Sequence, residues 1–236
     1  MGFDATLRDI DGVAGWLSDA QALRLWARAT ALTPPARIVE IGSFQGRSTI
    51  VLARAAADGV EIVAIDPHAG NDRGPQEIEG FEEDAANDNA IFNDNLTRAG
   101  VHERVRHVRK FSNDAHGDVD DPIDLLYIDG AHRYRPARDD IRAWGARVNP
   151  GGTMLIHDSF SSIGVTLAIM DTLFLGTDFR YIGRSGSMTE YRREKVPFTR
   201  LGDNQRRQLA QLPWFAKNVV LKALIASKVI KRDWPY

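Results

Sequence analysis

Five side chains could share one piece of chemistry: Glu40, Asp66, Asp129, His132 and Asp158. Each lies at or just past the end of a short apolar, β-branched run, where parallel strands buried on both faces deliver side chains to a common rim. The first run ends in Glu40-Ile41-Gly42-Ser43-Phe44-Gln45-Gly46 and passes into a helical stretch, so glycine backbone and a helix N-terminus approach a ligand together. The spacing is not the Gly-x-Gly-x-x-Gly of a dinucleotide site, because Phe44 stands where the second glycine belongs and Ser48 follows Gly46 by two. Glu40 would repel a pyrophosphate but can pair with a cationic ligand such as an aminocarboxypropyl sulfonium. Asp66, twenty residues beyond Gly46, ends the second run, where a carboxylate accepts hydrogen bonds from two ribose hydroxyls. Either acid alone is most simply a solvated loop residue; at consecutive strand ends the pair points to a nucleoside.

The other three residues come from Tyr127-Ile128-Asp129-Gly130-Ala131-His132 and Leu155-Ile156-His157-Asp158-Ser159. Adjacent parallel strands bring Asp129 and Asp158 to one rim, and two facing carboxylates repel unless a hard divalent cation such as magnesium shares them. His132, three residues past Asp129, is placed to act as a general base, imidazole being the side chain that exchanges protons near neutral pH. His68, His102, His107 and His116 carry no comparable placement and are read as surface histidines.

These rims require a parallel sheet. Runs at 37–42, 61–67, 105–110, 123–130 and 151–158 alternate with helical stretches, as in a sheet covered by helices. Residues 47–58 and 138–148 suit crossover helices, the second with Ile141, Trp144 and Val148 at i, i+3, i+7. Ser18 and Gln21 form a capping box ahead of Ala22, Leu25, Trp26 and Ala29, which predicts an N-terminal helix outside the sheet. After the fifth strand, a helix over 163–175 leads to two runs, 179–184 and 188–193, split by a Ser-Gly turn, which predicts an antiparallel hairpin. Residues 72–94 carry eight acids and one base and are read as a loop too acidic for the core.

In motif order, roughly residues 15–195 resemble a class I S-adenosylmethionine-dependent methyltransferase, in the metal-dependent O-methyltransferase branch that includes catechol-type and macrolide-sugar enzymes. The resemblance implies a Rossmann-like α/β fold with a mostly parallel seven-stranded sheet, helices on both faces and an antiparallel C-terminal hairpin. It further implies an N-terminal helical lid (1–35), a cofactor-binding core (36–195) and a C-terminal helical tail (196–236). Glu40, Gly42, Ser43 and Ser48 would serve the methionine part of S-adenosylmethionine, Asp66 the ribose and Ser112 the adenine, with Asp129 bordering the cofactor. Asp129 and Asp158 would hold the metal, expected to be Mg, and His132 matches the proposed base of the sugar-modifying relatives. Catechol-type enzymes usually carry Asn after the second metal aspartate; here Ser159 stands there as a weaker third ligand.

The implied activity is metal-assisted O-methylation. The acidic, polar stretch over 72–94 and the segment 16–32 form the expected acceptor cover, which suits a small polyhydroxylated acceptor, a sugar hydroxyl of an oligosaccharide, glycolipid or natural product, better than a catechol. A catechol-type aromatic O-methyltransferase, a nicotinamide-dependent oxidoreductase and a non-catalytic binding protein of the same fold are the alternatives. Composition narrows the classes further. The 236 residues carry 30 Lys and Arg against 32 Asp and Glu, a net charge of -2 that removes the field needed for non-specific nucleic-acid binding. No cysteine is present, which excludes disulfides, thiolate metal sites and thiol catalysis. No apolar run nears the ~18 residues of a membrane helix and the N-terminal residues do not read as a signal peptide, so a cytoplasmic enzyme is expected. The basic segment 217–232, flanked by Trp214 and Trp234, has three readings: a packed helix, a homodimer contact, or a peripheral contact with anionic lipid. Its apolar residues spread around the helix, which favours packing or oligomerisation.

Overall fold

The computed structural model describes residues 2–69 and 82–227. Two short helices, α1 (Phe3–Asp9) and α2 (Asp19–Thr30), precede β1 (Ala36–Ile41), α3 (Arg47–Ala55) and β2 (Val60–Ile65). Then follow α4 (Glu82–Arg98), β3 (Val105–Val108), β4 (Ile123–Ile128), α5 (Tyr134–Gly145), β5 (Val148–Ile156) and α6 (Ile163–Thr172). The hairpin β6 (Phe179–Ser185) and β7 (Met188–Arg193) closes the sheet, and α7 (Phe198–Leu209) and α8 (Leu212–Ala226) complete the described chain. The sheet order is β3-β2-β1-β4-β5-β7-β6, with every pair parallel except those made by β7. This is the Rossmann-like arrangement, seven strands with an antiparallel C-terminal pair.

Strand alternation divides the core into two layers. Ile38, Ile62, Leu125, Tyr127 and Leu155 face the layer that takes Leu25 of α2, Ile50 of α3 and Phe92 of α4. Val39, Val63, Leu126, Met154 and Ile156 face the layer that takes Ile141 and Trp144 of α5 and Ile169 of α6. Each large apolar side chain so enclosed contributes roughly 1.5–3 kcal/mol relative to exposure. The N-terminal segment is part of this packing, since Ile10, Val13 and Leu17 are buried in the first layer.

Three expectations shift. The stretch 138–148 is divided: α5 begins at Tyr134, with Pro136 in its first turn where no backbone N–H is needed, and Val148 belongs to β5. The run expected over 151–158 starts earlier and ends sooner, as β5 takes in Asn149 and Pro150, and its pairing with β4 slips between Ile123↔Val148 and Leu125↔Thr153. Of the acidic stretch, 82–94 is helical, because Phe92 and Leu96, one turn apart, are fully buried and anchor α4; residues 72–81 lie outside the described residues. The basic segment is helical to Ala226 and packed through Trp214 and Phe215, with Lys222 Nζ donating to Ser161 O at 3.1 Å; Trp234 lies outside the described residues. Among the described residues no helix is long and apolar enough to cross a membrane.

Candidate active site

The strand order reverses between β1 and β4, and a crevice opens there at the strand C-termini. Gly42 and Asp129 face each other across it: Asp129 N–H donates to Ile41 O at 2.8 Å, and a Cβ on Gly42 would stand 2.3 Å from Asp129 O. With φ at +86° as well, only glycine fits this position. Phe44 also takes a positive φ, +45°, which a glycine would adopt at less cost; its ring lies 5.9 Å from that of Trp16. The cleft is lined by Trp16, Ser43, Phe44, Asp66, Phe111 and His132, among others.

Asp66 holds the glycine loop in shape. One oxygen accepts from Phe44 N–H at 2.8 Å and the other from His68 N–H at 2.7 Å, leaving the carboxylate at the cleft wall. Ser43 Oγ is buried in the same wall without a partner, a donor and acceptor available to a ligand. Glu40, by contrast, does not reach the cleft. It is fully buried behind Ser48, whose hydroxyl donates to Oε1 at 2.5 Å while Thr49 Oγ1 donates to Oε2 at 2.5 Å. Burial pushes its pKa up to about 7 despite those two bonds. Ser112 Oγ donates to Asp140 Oδ1 at 2.5 Å on the opposite side of the cleft, and burial raises the Asp140 pKa to about 6. His68 is buried rather than at the surface: its ring packs 5.4 Å from Phe92 and 4.9 Å from His107, and burial lowers its pKa.

At the rim next to this cleft, one ligand atom from each of Asp129, His132 and Asp158 falls within 4.8 Å of the others. His132 Nε2 lies 2.5 Å from Asp158 Oδ2, and Tyr127 Oη donates to Asp129 Oδ2 at 3.0 Å. Asp129 Oδ1 is buried and accepts no well-aligned hydrogen bond, and with Asp158 and His132 it makes up a donor set that fits a hard cation. Ser159 does not join them. Asp158 takes a left-handed φ of +52°, which turns Ser159 inward, and its hydroxyl donates to Ile156 O at 2.8 Å and meets Thr189 Oγ1 at 2.7 Å.

His157 takes the place beside the carboxylates instead, and the sequence reading passed over it. Its ring is buried, with Nδ1 3.2 Å from Asp129 Oδ1 and 3.5 Å from Asp158 Oδ2. Burial opposes charge on this ring, but the two carboxylates outweigh it and raise its pKa. Asp158, also opposed by burial, is held well below the usual carboxylate range by His157 and His132. The His157 side chain could have been suspected from its place next to Asp158 in an otherwise apolar strand end.

A crevice at the reversal of a 3-2-1-4-5-7-6 sheet, with an acid after β2 and a glycine turn after β1, defines a Rossmann-like methyltransferase fold. A family model described as a methyltransferase domain matches residues 39–159, just over half of the chain, and the protein belongs to that family. Two curated relatives are both uncharacterised: y4gI of Sinorhizobium fredii, 30% identical over 53% of this chain, and R132 of Acanthamoeba polyphaga mimivirus, 29% identical over 51%. The matched region spans only 13% and 50% of those proteins. Among solved structures, the O-methyltransferase TomG from Streptomyces achromogenes, in complex with SAM, superposes with a TM-score of 0.54. It is 19% identical, with 83% of this chain and 89% of that one covered, a likeness of fold.

Proposed function

We propose that this protein transfers the methyl group of S-adenosylmethionine to a hydroxyl oxygen, assisted by a divalent cation. The observation that carries this reading is the meeting of Asp129, His132 and Asp158 at the rim of a cleft whose other wall presents Gly42, Ser43 and Asp66. The residues present fit the cofactor: Gly42 lets the turn after β1 pack against the Asp129 backbone at the cleft, Ser43 Oγ is unpartnered, and Asp66 offers a carboxylate at the cleft wall to ribose hydroxyls. Ser112, held by Asp140, is assigned to the adenine, and Ser48 to the methionine end. Glu40 acts through Ser48 by fixing the first turn of α3.

Asp129 and Asp158 would hold the cation, preferably magnesium, whose charge lowers the pKa of the acceptor hydroxyl. His132 lines the cleft; its Nε2 donates to the Asp158 carboxylate, so the other ring nitrogen, Nδ1, takes the acceptor proton. The acceptor oxygen then forms its bond to the methyl carbon as the sulfur–methyl bond breaks. The electron pair of that bond stays on sulfur, giving neutral S-adenosylhomocysteine, and the proton rests on His132. Trp16, Phe44 and Phe111 shield the sulfonium from bulk water. A small polyhydroxylated acceptor, a sugar hydroxyl above all, suits the polar cover better than a catechol, and Asp88 of α4 reaches the cleft wall, accepting from Gln45 Nε2 at 2.7 Å. The cytoplasm is the assigned compartment.

Calorimetric titration with S-adenosylhomocysteine, with and without MgCl2 and with NAD as control, tests the reading. Binding of the homocysteine product with NAD silent is expected. No heat from S-adenosylhomocysteine under either condition overturns it.

A further inference from the structure

Gln21 occupies the third position of α2, where a glutamine ordinarily does no more than close a capping box. Here it does that and also reaches the active site. Its Oε1 accepts from Ser18 N–H at 2.8 Å and from Ser18 Oγ at 3.0 Å, while its Nε2 lies 3.0 Å from Ser187 Oγ and 3.1 Å from His157 Nε2. Gln21, His157 and Ser187 are all buried, so their polar atoms must pair with other groups of the protein rather than with bulk water.

The orientation of the amide follows from the backbone. Ser18 N–H can only donate, so the atom facing it is the carbonyl oxygen, and the NH2 group must face His157 and Ser187. Both amide hydrogens are then used, one toward Ser187 Oγ and one toward His157 Nε2. A ring nitrogen that meets a donor has to present its lone pair. His157 therefore carries its proton on Nδ1, the nitrogen that lies 3.2 Å from Asp129 Oδ1 and 3.5 Å from Asp158 Oδ2.

We propose that Gln21 is a positioning residue that holds His157 as the Nδ1–H tautomer, so that this ring donates toward Asp129 and Asp158 and aims their remaining lone pairs at a shared cation. The inference deepens the metal-assisted reading and rests on it. His157 thereby turns an N–H rather than a lone pair toward the carboxylates and is not a fourth ligand, and the N-terminal helix becomes part of the machinery that orients them.

Gln21→Glu separates the two roles of this side chain. Glutamate is an ordinary capping-box residue and keeps the acceptor for Ser18 N–H, but it replaces the donor at His157 Nε2 with an acceptor. The tautomer is read by long-range proton–nitrogen correlation of the histidine rings in 15N-labelled protein with S-adenosylhomocysteine and MgCl2 present, His157 being assigned by its loss in His157→Gln. In the unsubstituted protein, Nδ1 is expected protonated and Nε2 bare. In Gln21→Glu, Nε2 is expected to carry a proton, and MgCl2 titrated into the S-adenosylhomocysteine-saturated variant should bind at least about tenfold more weakly. A protonated Nε2 in the unsubstituted protein overturns the proposal. So does a Gln21→Glu variant with the same ring pattern and the same magnesium affinity, which would leave Gln21 as a helix cap alone. Should magnesium produce no heat with the unsubstituted protein, the metal-assisted reading falls separately, and the ring assignment alone decides the role of Gln21.

Discussion

The hydroxyl of Ser48, in the cleft wall, and the carboxylate of Glu40, enclosed in the core behind it, are bonded at 2.5 Å at the first turn of α3. A carboxyl group enclosed in this way is easier to keep neutral than charged. Its pKa of about 7 lies above the ordinary 4.5, so between those values the folded chain binds a proton that the unfolded chain has lost. Stability contributed by this site is present at low pH and declines as pH rises from about 4.5 to about 7. The span corresponds to at most ~3 kcal/mol. Glu40→Gln should flatten that part of the profile and raise the denaturant midpoint above pH 7. Urea unfolding at pH 5 and pH 8 checks this, and an unchanged pH slope in the variant would show that Glu40 is not its source.

Removing the proposed base should spare the cofactor. His132→Ala is expected to lower methyl transfer by at least about a hundredfold, the lower bound for general-base catalysis, while S-adenosylhomocysteine affinity stays within a factor of about three. Turnover on an accepted hydroxyl substrate, measured beside calorimetry, decides it. Undiminished turnover would remove His132 from the mechanism.

Asp129→Asn weakens the proposed cation site without emptying the space. Magnesium heats should vanish or fall by at least about tenfold, in keeping with the oxygen ligands this ion requires. Chelator treatment of the unsubstituted protein should then lower activity to the level of the variant, and added MgCl2 should restore only the former. Equal magnesium affinity in the two proteins would place the cation elsewhere.

Gly42→Ala should abolish binding of S-adenosylhomocysteine and destabilise the fold. Its φ of +86° and the 2.3 Å approach to Asp129 O force the backbone of β1 or β4 to move, at a cost of order 1–3 kcal/mol for the conformation alone. A thermal melt with and without the ligand reads both effects. A variant that melts like the parent and still gains stability from the ligand would refute the close packing described here.

The sheet was legible because its central strands are short apolar runs, and runs buried on both faces announce themselves. That Asp66, Asp129, His132 and Asp158 gather at one end of the sheet was legible for a related reason: a polar residue at or just past the end of such a run is placed at the rim. Ser159 misled because adjacency in sequence suggests adjacency at the rim, and the left-handed turn at Asp158 sends the next side chain into the core. Glu40 misled because strand parity puts it on the face packed by α3. The contact between Gln21 and His157 joins residues 136 apart, and no local period encodes such a meeting. Gln21 was visible only as the cap that it also is.

Arg47, at the start of α3, donates to Ile10 O at 2.8 Å and Val13 O at 2.7 Å, and residues 14–17 form part of the cleft wall. The opening stretch of the chain is thus moored to the helix whose N-terminus borders the cleft. Occupancy of the cleft and the anchorage of that stretch are linked quantities, each strengthening the other. Cleavage of the first seventeen residues by a protease should slow when S-adenosylhomocysteine is bound, which turns the beginning of the polypeptide into a gauge of how full the crevice is.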